Sequence, residues 1–410
     1  MSQAAATVLT FEEARAVVEQ HTTGVLPTGP ETVELARADG RVLADALVAD
    51  RDFPPFPRSA RDGYAVRAAD LARVPAILKI TGESKAGAAP GEAPAQVRGG
   101  EAVLIMTGAP VPTGADAVVM VEYTSRDDHT VEIQKSAGVG ENIVPRGSEG
   151  RAGEVLLKPG HRLDAAGVAV AASVGKASLQ VHALPRVAIL ATGDEIVDVA
   201  AIPGPNQIRN SNSYSLAAQV RAAGGLPVLL PIAPDELKQL RRLIEQGLQA
   251  DLLLLAGGVS MGKYDLVEQA LGELGAEFFF TGALIQPGRP VVFGRAGEKY
   301  FFGLPGNPVS TMVTFELFAG PILEALGGAT PRPLAFFPVR LRREIKVRTG
   351  LTRFLPGLLS GQFGDLEVEL APWQGSGDMA AAARANCYVV VPPDRERIAA
   401  GETVKVWLRS

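Results

Sequence analysis

The stretch "LLLLAGGVSMGKYD" (252–265) nearly reproduces the phosphate-cradling loop G-x-x-x-x-G-K-[ST]. Gly257, Gly262 and Lys263 are in register, but Tyr264 stands where a small hydroxyl would hold magnesium, and the acid that follows, Asp265, could bind a cation directly. Three more loops carry acids, glycines or both: "TGDE" (192–195), "APDE" (233–236) and "LPGNP" (304–308). In the last, Asn307 suits a helix N-cap and Pro308 the first helical position. That would leave the amides of Val309, Ser310 and Thr311 free for an oxyanion, a plain capped helix being the alternative. Arg289, in "QPGRP" (286–290), could meet an oxyanion bidentately. Farther upstream, "PPFPRSARDGYAVR" (54–67) gathers Arg58, Arg61, Asp62 and Tyr64 around an Asp-Gly turn.

Any one of these loops has a bland reading. Glycines at strand-to-helix junctions are often only turn chemistry, and Asp194 or Asp265 could merely cap a helix or sit in its first turn. The elements between the loops argue for more. "RVAILATG", "LPVLLPI", "DLLLLAGG", "AEFFF" and "KYFFGLPG" are apolar runs, and between most of them lie helical stretches such as "SYSLAAQVRAAGG", "PDELKQLRRLIEQGLQA" and "YDLVEQALGELG". This alternation predicts βαβ units and a mostly parallel sheet covered on both faces, a three-layer α/β domain over 183–330. In such a sheet, ligands bind beyond the carboxyl ends of the strands, where these four loops gather.

The flanks read differently. Residues 57–145, rich in Gly, Pro and short alternating runs, predict a small inserted β domain, and 331–410 predict a C-terminal β sandwich or barrel. Residues 1–56 and 146–182 would pack together as one extended, discontinuous domain. A multidomain chain is what 410 residues imply.

Composition narrows the chemistry. A net charge of -5 argues against a broad nucleic-acid surface. Cys387 is the only cysteine, and His21, His129, His161 and His182 lack ligand spacing, so neither disulfides nor a Cys/His metal cage is expected. A metal would be held by carboxylates and ligand oxygens, as magnesium is. The N-terminal "MSQAAATVLTFEEARAVVEQH" lacks the pattern of a signal or transit peptide, and the uncharged stretch 300–315 is broken by "GLPGNP"; a cytoplasmic protein without a membrane span is the expectation.

Taken together, "RSARDGYAV", "IMTGAPVPTGADAVV", "RVAILATGDEI", "LLLAGGVSMGKYD", "QPGRPVVFG", "GLPGNPVS" and "QGSGDMAAAARANCYVVVP" occur in the order seen in the molybdopterin molybdenumtransferases. The chain resembles that family, the MoeA family that includes the gephyrin E domain, over nearly its whole length. The resemblance implies a central MogA-like domain and an elongated homodimer, with a cleft shared between the α/β domain of one subunit and the Asp-Gly-Tyr-bearing domain of the other. It implies a reaction that consumes adenylylated molybdopterin and molybdate with the help of Mg2+ and releases AMP, and it makes a molybdopterin adenylyltransferase a candidate partner. By motif position, Asp62, Thr107, Glu195 and Asp265 are the catalytic candidates, and Glu195, Asp265 and Asp235 the metal ligands. Gly257, Gly258, Ser260, Pro305, Gly306, Asn307 and Pro308 would contact substrate, and Arg289, Arg353 and Ser376 would hold the oxyanion. The chain departs from the family at three usually basic positions, now Gln286, Leu351 and Pro356, while Arg353 is an added cation. Those losses keep open the reading of an insertion-impaired paralogue serving as a dimeric molybdopterin-binding scaffold, and because the α/β domain alone would suit phosphoanhydride cleavage, a metal-dependent nucleotide pyrophosphatase is a third reading.

Overall fold

A computed structural model describes residues 7–87, 94, 96–258, 266–362 and 364–409. At its centre is a six-stranded sheet in the order Leu226–Leu229, Arg186–Ala191, Leu252–Ala256, Lys299–Leu304, Val292–Ala296, Glu277–Phe280. The first four strands are parallel, and the last two run antiparallel at one edge. The "AEFFF" run is thus an edge strand against its neighbour's direction.

Successive residues of the parallel strands alternate between two apolar cores. Val187, Ile189, Leu252, Leu254 and Phe302 face one; Ala188, Leu190, Leu253, Leu255 and Phe301 face the other. That is the period-two signature of a sheet buried on both faces, and it explains why these strands read as continuous apolar runs. Helix Asn212–Ala222 contributes Leu216, Ala217 and Val220 to the first core, and Leu237–Gly247 contributes Leu240 and Ile244 to the second.

The helical stretch Pro308–Leu326, 19 residues long, passes a membrane-span test on length and apolarity, yet 83% of its apolar window is buried in the protein. It is a core helix. Its middle, Phe315–Ala319, is a π-turn just ahead of Pro321, which has no amide hydrogen to donate to an ordinary α-helical ladder. The N-terminal helix Phe11–Thr22 is started by a reciprocal Thr10–Glu13 capping box and packs Phe11, Ala14 and Val18 into the same core.

Residues 63–133 supply a second six-stranded sheet, antiparallel except where Ala76–Ser84 runs alongside Glu101–Ile105. Segments on either side of it meet again: Pro30–Glu34 pairs with Ser178–His182, and Leu43, Leu47, Leu163 and Leu179 share one core.

In the C-terminal part, the strands Thr352–Ser360, Glu367–Leu370, Phe337–Leu341, Thr403–Leu408 and Cys387–Val391 form a ring that closes back on Thr352–Ser360. The ring decides between sandwich and barrel in favour of a closed barrel. Ile285–Gln286, from the central region, pairs with Thr352 and Arg353 on the outside of this ring.

Candidate functional site

The carboxyl ends of the parallel strands are laced together by backbone hydrogen bonds. Thr192 donates its amide to the Ala256 carbonyl, Gly193 to Ala233, and Gly257 to Leu304, each at 3.1 Å. Glycine is required here: Gly257 and Gly258 have φ of +98° and +67°. A Cβ on Gly258 would also lie 2.6 Å from Thr192 Oγ1. The lacing brings the strand-end loops around one cavity of about 420 Å³.

Eight of the expected residues line it: Glu195, Asp235, Gly257, Gly258, Pro305, Gly306, Asn307 and Pro308. Both acids are exposed. Asp194 is not among the lining residues; its Oδ1 accepts the Asp235 amide at 3.0 Å. Asp265 and Ser260 lie outside the described residues. Among the described residues, no group of three or more His, Cys, Asp or Glu side chains gathers closely enough to hold a metal.

The helix start at Asn307–Pro308 differs from the expectation of open amides. Val309 donates its amide to the Ser376 carbonyl at 3.0 Å, and Thr311 donates to the Asn307 carbonyl at 3.0 Å. Asn307 occupies the N-cap without a side-chain capping bond; its Nδ2 donates to Ser376 Oγ at 2.8 Å. Of the three amides expected to be open, a loop of the C-terminal part therefore takes that of Val309, and the helix itself takes that of Thr311. Ser376 reaches the cavity rim through Asn307.

Arg353 is buried at 5% exposure. It donates Nε to Gln286 Oε1 at 2.7 Å and one terminal nitrogen to the Leu351 carbonyl at 3.1 Å, and it forms no ion pair among the described residues. Burial lowers its pKa from the usual guanidinium value. Arg289 is exposed, and its neighbour Pro290, not Arg289 itself, lines the cavity.

Asp62 and Thr107 lie apart from that cavity, beside the sheet of residues 63–133. Thr107 donates both its amide, at 2.6 Å, and its hydroxyl, at 2.9 Å, to Asp62 Oδ1. These bonds, the backbone one foremost, hold the carboxyl below its ordinary pKa. The next residue must be glycine, because a Cβ on Gly63 would lie 1.9 Å from the Val119 carbonyl oxygen.

Sequence reasoning passed over Thr192, Asn210 and Asn212, which also line the cavity. Asn210 anchors the start of helix Asn212–Ala222, accepting the Ser213 amide at 3.1 Å and donating to its hydroxyl at 2.9 Å. The available signal was the run "NSNS" (210–213): one such residue is enough to cap a helix, and the local sequence gives the others no duty.

A second cavity, of about 520 Å³, lies between helix Asn212–Ala222, the core helix and the chain's C-terminal strand. Its wall includes Glu316, whose pKa burial raises to about 6 against the opposing pull of its Gln219 hydrogen bond and of Arg409.

Comparison with known proteins matches three family descriptions in succession: the MoeA N-terminal region (domain I and II) over residues 9–175, a probable molybdopterin binding domain over 188–325, and the MoeA C-terminal region (domain IV) over 338–408. A molybdopterin molybdenumtransferase of Nostoc sp. is 35% identical over 386 residues, covering 92% of this chain and 88% of the relative. That of Haemophilus influenzae is 32% identical, covering 97% and 98%. The crystal structure of the molybdopterin biosynthesis moeA protein of Pyrococcus horikoshii OT3 superposes with a TM-score of 0.78 at 29% identity, covering 98% of this chain and 100% of the other.

Proposed function

This chain belongs to the MoeA family of molybdopterin molybdenumtransferases, enzymes of molybdenum cofactor biosynthesis, and from that premise we propose that it converts adenylylated molybdopterin and molybdate into molybdenum cofactor and AMP. The observation that carries this reading is the strand-end cavity, which glycine loops and two acids, Glu195 and Asp235, line together. Glycines at Gly257, Gly258 and Gly306 let a phosphoanhydride approach the backbone closely.

The donor set suits magnesium, which takes one or two carboxylates and completes its shell with water and phosphate oxygens. Glu195 and Asp235, with Asp265, would hold it. When bound, it withdraws charge from the phosphoanhydride and from the leaving AMP. The chain's own residues position the reactants. In this reading Arg353, Arg289 and Ser376 hold molybdate beside the cavity, of the three only Ser376 being hydrogen-bonded to a lining side chain, that of Asn307, and Gln286 leaves the Arg353 charge unneutralised because an amide accepts a hydrogen bond without carrying a negative charge.

Asp62, kept anionic by Thr107, belongs to the reaction as a group reaching in from a second copy, since within one chain it does not line the cavity. A homodimer with shared clefts is therefore part of the proposal. So is delivery of the substrate by an adenylyltransferase. A cytoplasmic setting fits a chain whose only cysteine, Cys387, is a buried free thiol.

The test incubates purified protein with adenylylated molybdopterin, magnesium and graded molybdate, following AMP and molybdenum cofactor. Molybdate-dependent formation of both is expected. Binding without turnover would make the chain a scaffold, the reading that Gln286, Leu351 and Pro356 favour. Cleavage of ordinary dinucleotides without preference for the pterin would make it a pyrophosphatase.

A further inference from the structure

Two residues that line the strand-end cavity each carry a buried polar atom with no hydrogen-bond partner among the described residues: the Asn212 amide oxygen and the Thr192 hydroxyl. Their side chains are well packed, at 9% and 4% exposure. Asn212 donates Nδ2 to the Gly306 carbonyl at 2.7 Å, which fixes the amide's orientation and commits Oδ1 to the role of acceptor. The wall between the two residues is made of glycine backbone. A Cβ on Gly306 would lie 3.6 Å from Gly257 Cα, and one on Gly257 would lie 2.8 Å from the Thr192 carbonyl and 3.4 Å from its hydroxyl.

Buried polar atoms left unpaired are costly. Others occur elsewhere among the described residues, at Thr281 and Tyr388 for example, but only Asn212 and Thr192 bring theirs to the strand-end cavity, where a bound ligand would complete them. The sign of the missing group follows from Asn212. A carbonyl oxygen cannot accept from a phosphate or molybdate oxygen, because those are acceptors themselves. It needs an N–H or O–H.

We propose that Asn212 and Thr192 form a donor-reading subsite, which grips an uncharged N–H or O–H face of the substrate and is separate in chemistry from the groups that meet its phosphates and its oxyanion. The proposal rests on the reading of the cavity as the adenylylated pterin site. Two parts of that substrate carry such donors: the nucleoside, through ribose hydroxyls and the adenine amine, and the pterin, through its ring N–H and exocyclic amine.

The test is calorimetric titration of the full-length protein with two probe series. One is AMP, its 2′-deoxy and 3′-deoxy forms, and N6,N6-dimethyl-AMP; the other is pterin-6-carboxylate and its 2-dimethylamino counterpart. Each is measured on wild type, Thr192→Val and Asn212→Ala. In one series, removing the donor should weaken wild-type binding by roughly three- to tenfold, and the same removal should cost nothing further in at least one variant. The series that responds names the half of the substrate that is read.

Thr192→Val keeps the side chain's shape while removing the orphaned hydroxyl, so the ligand-free melting temperature should hold or rise as affinity falls. A merely structural threonine would do the reverse. Donor removal that costs nothing in either series, or costs the same in wild type and both variants, overturns the proposal and leaves the cavity reading standing. An Asn212→Ala effect that vanishes when magnesium is withheld assigns the carbonyl to the metal and also overturns it. Failure of wild type to bind either parent probe sinks the cavity reading and the proposal with it.

Discussion

The substitution Glu316→Gln should remove a pH-dependent weakness from the core helix. Glu316 sits in the wall of the larger cavity with its carboxyl pKa raised from 4.5 to about 6, chiefly by burial. Because the folded value lies above the unfolded one, the native state favours the protonated acid. Stability from this group is complete below the unfolded value and is lost as pH rises through about 6. A difference of about 1.5 pH units corresponds to about 2 kcal/mol, or about thirtyfold in a local opening equilibrium. The introduced side-chain amide would still accept the Gln219 Nε2 hydrogen bond, which is 3.0 Å long in the native protein, without ever acquiring a charge. The assay is hydrogen exchange of the amides in Pro308–Leu326 from about pH 5 to about pH 8, corrected for intrinsic rates. At the acid end the two proteins should be nearly alike, and above about pH 7 the variant should be protected by about thirtyfold more. Parallel profiles across the range would mean that burial does not govern this carboxyl, and the reasoning would fail.

Further outcomes follow from the proposed reaction. Asp265→Ala should abolish AMP release while the far-ultraviolet spectrum and melting temperature stay close to wild type; unchanged turnover would take Asp265 out of the reaction. Thr107→Val removes one of two donors to Asp62, so the Asp62 pKa should move up toward the ordinary carboxylate value and the acid limb of the pH–rate profile should follow it upward. Arg353→Ala should raise the molybdate concentration needed for half-maximal turnover by at least tenfold, given about 1.5 kcal/mol or more for a charge-assisted hydrogen bond; no such rise means that this cation does not serve the oxyanion. Ser376→Ala deletes the 2.8 Å bond from Asn307 and should cost about 1 kcal/mol of local stability, read as faster exchange at the helix start.

What was legible in the sequence was what repeats. The central sheet could be read because fully buried parallel strands have to be apolar on both faces, and runs such as "LLLLA" (252–256) are that requirement written out. The strand-end loops followed, since their position is fixed by the sheet. Long-range partnerships were not legible. Nothing local in "LPGNP" says that Ser376, 69 residues from Asn307, will reach the helix start, so the Val309 amide that looked free is engaged. The amphipathic pattern of Phe11–Thr22 announces a buried face without saying that its partner is the core helix. Alternating strands in the C-terminal part fit a sandwich as well as a barrel, because closure depends on which two edges meet. Asn212 was missed for a related reason: one half of its amide performs a structural task, and only the folded chain leaves the other half without a partner among the described residues.

The short strand Ile285–Gln286 has a practical corollary for anyone dividing this protein into pieces. It belongs by chain position to the central layer, yet its ladder partner is in the barrel. A fragment cut ahead of Phe337 would strip that strand of its mate and expose a bare backbone edge beside Arg289, an invitation to stick to other copies. Keeping the barrel attached protects the central layer from itself.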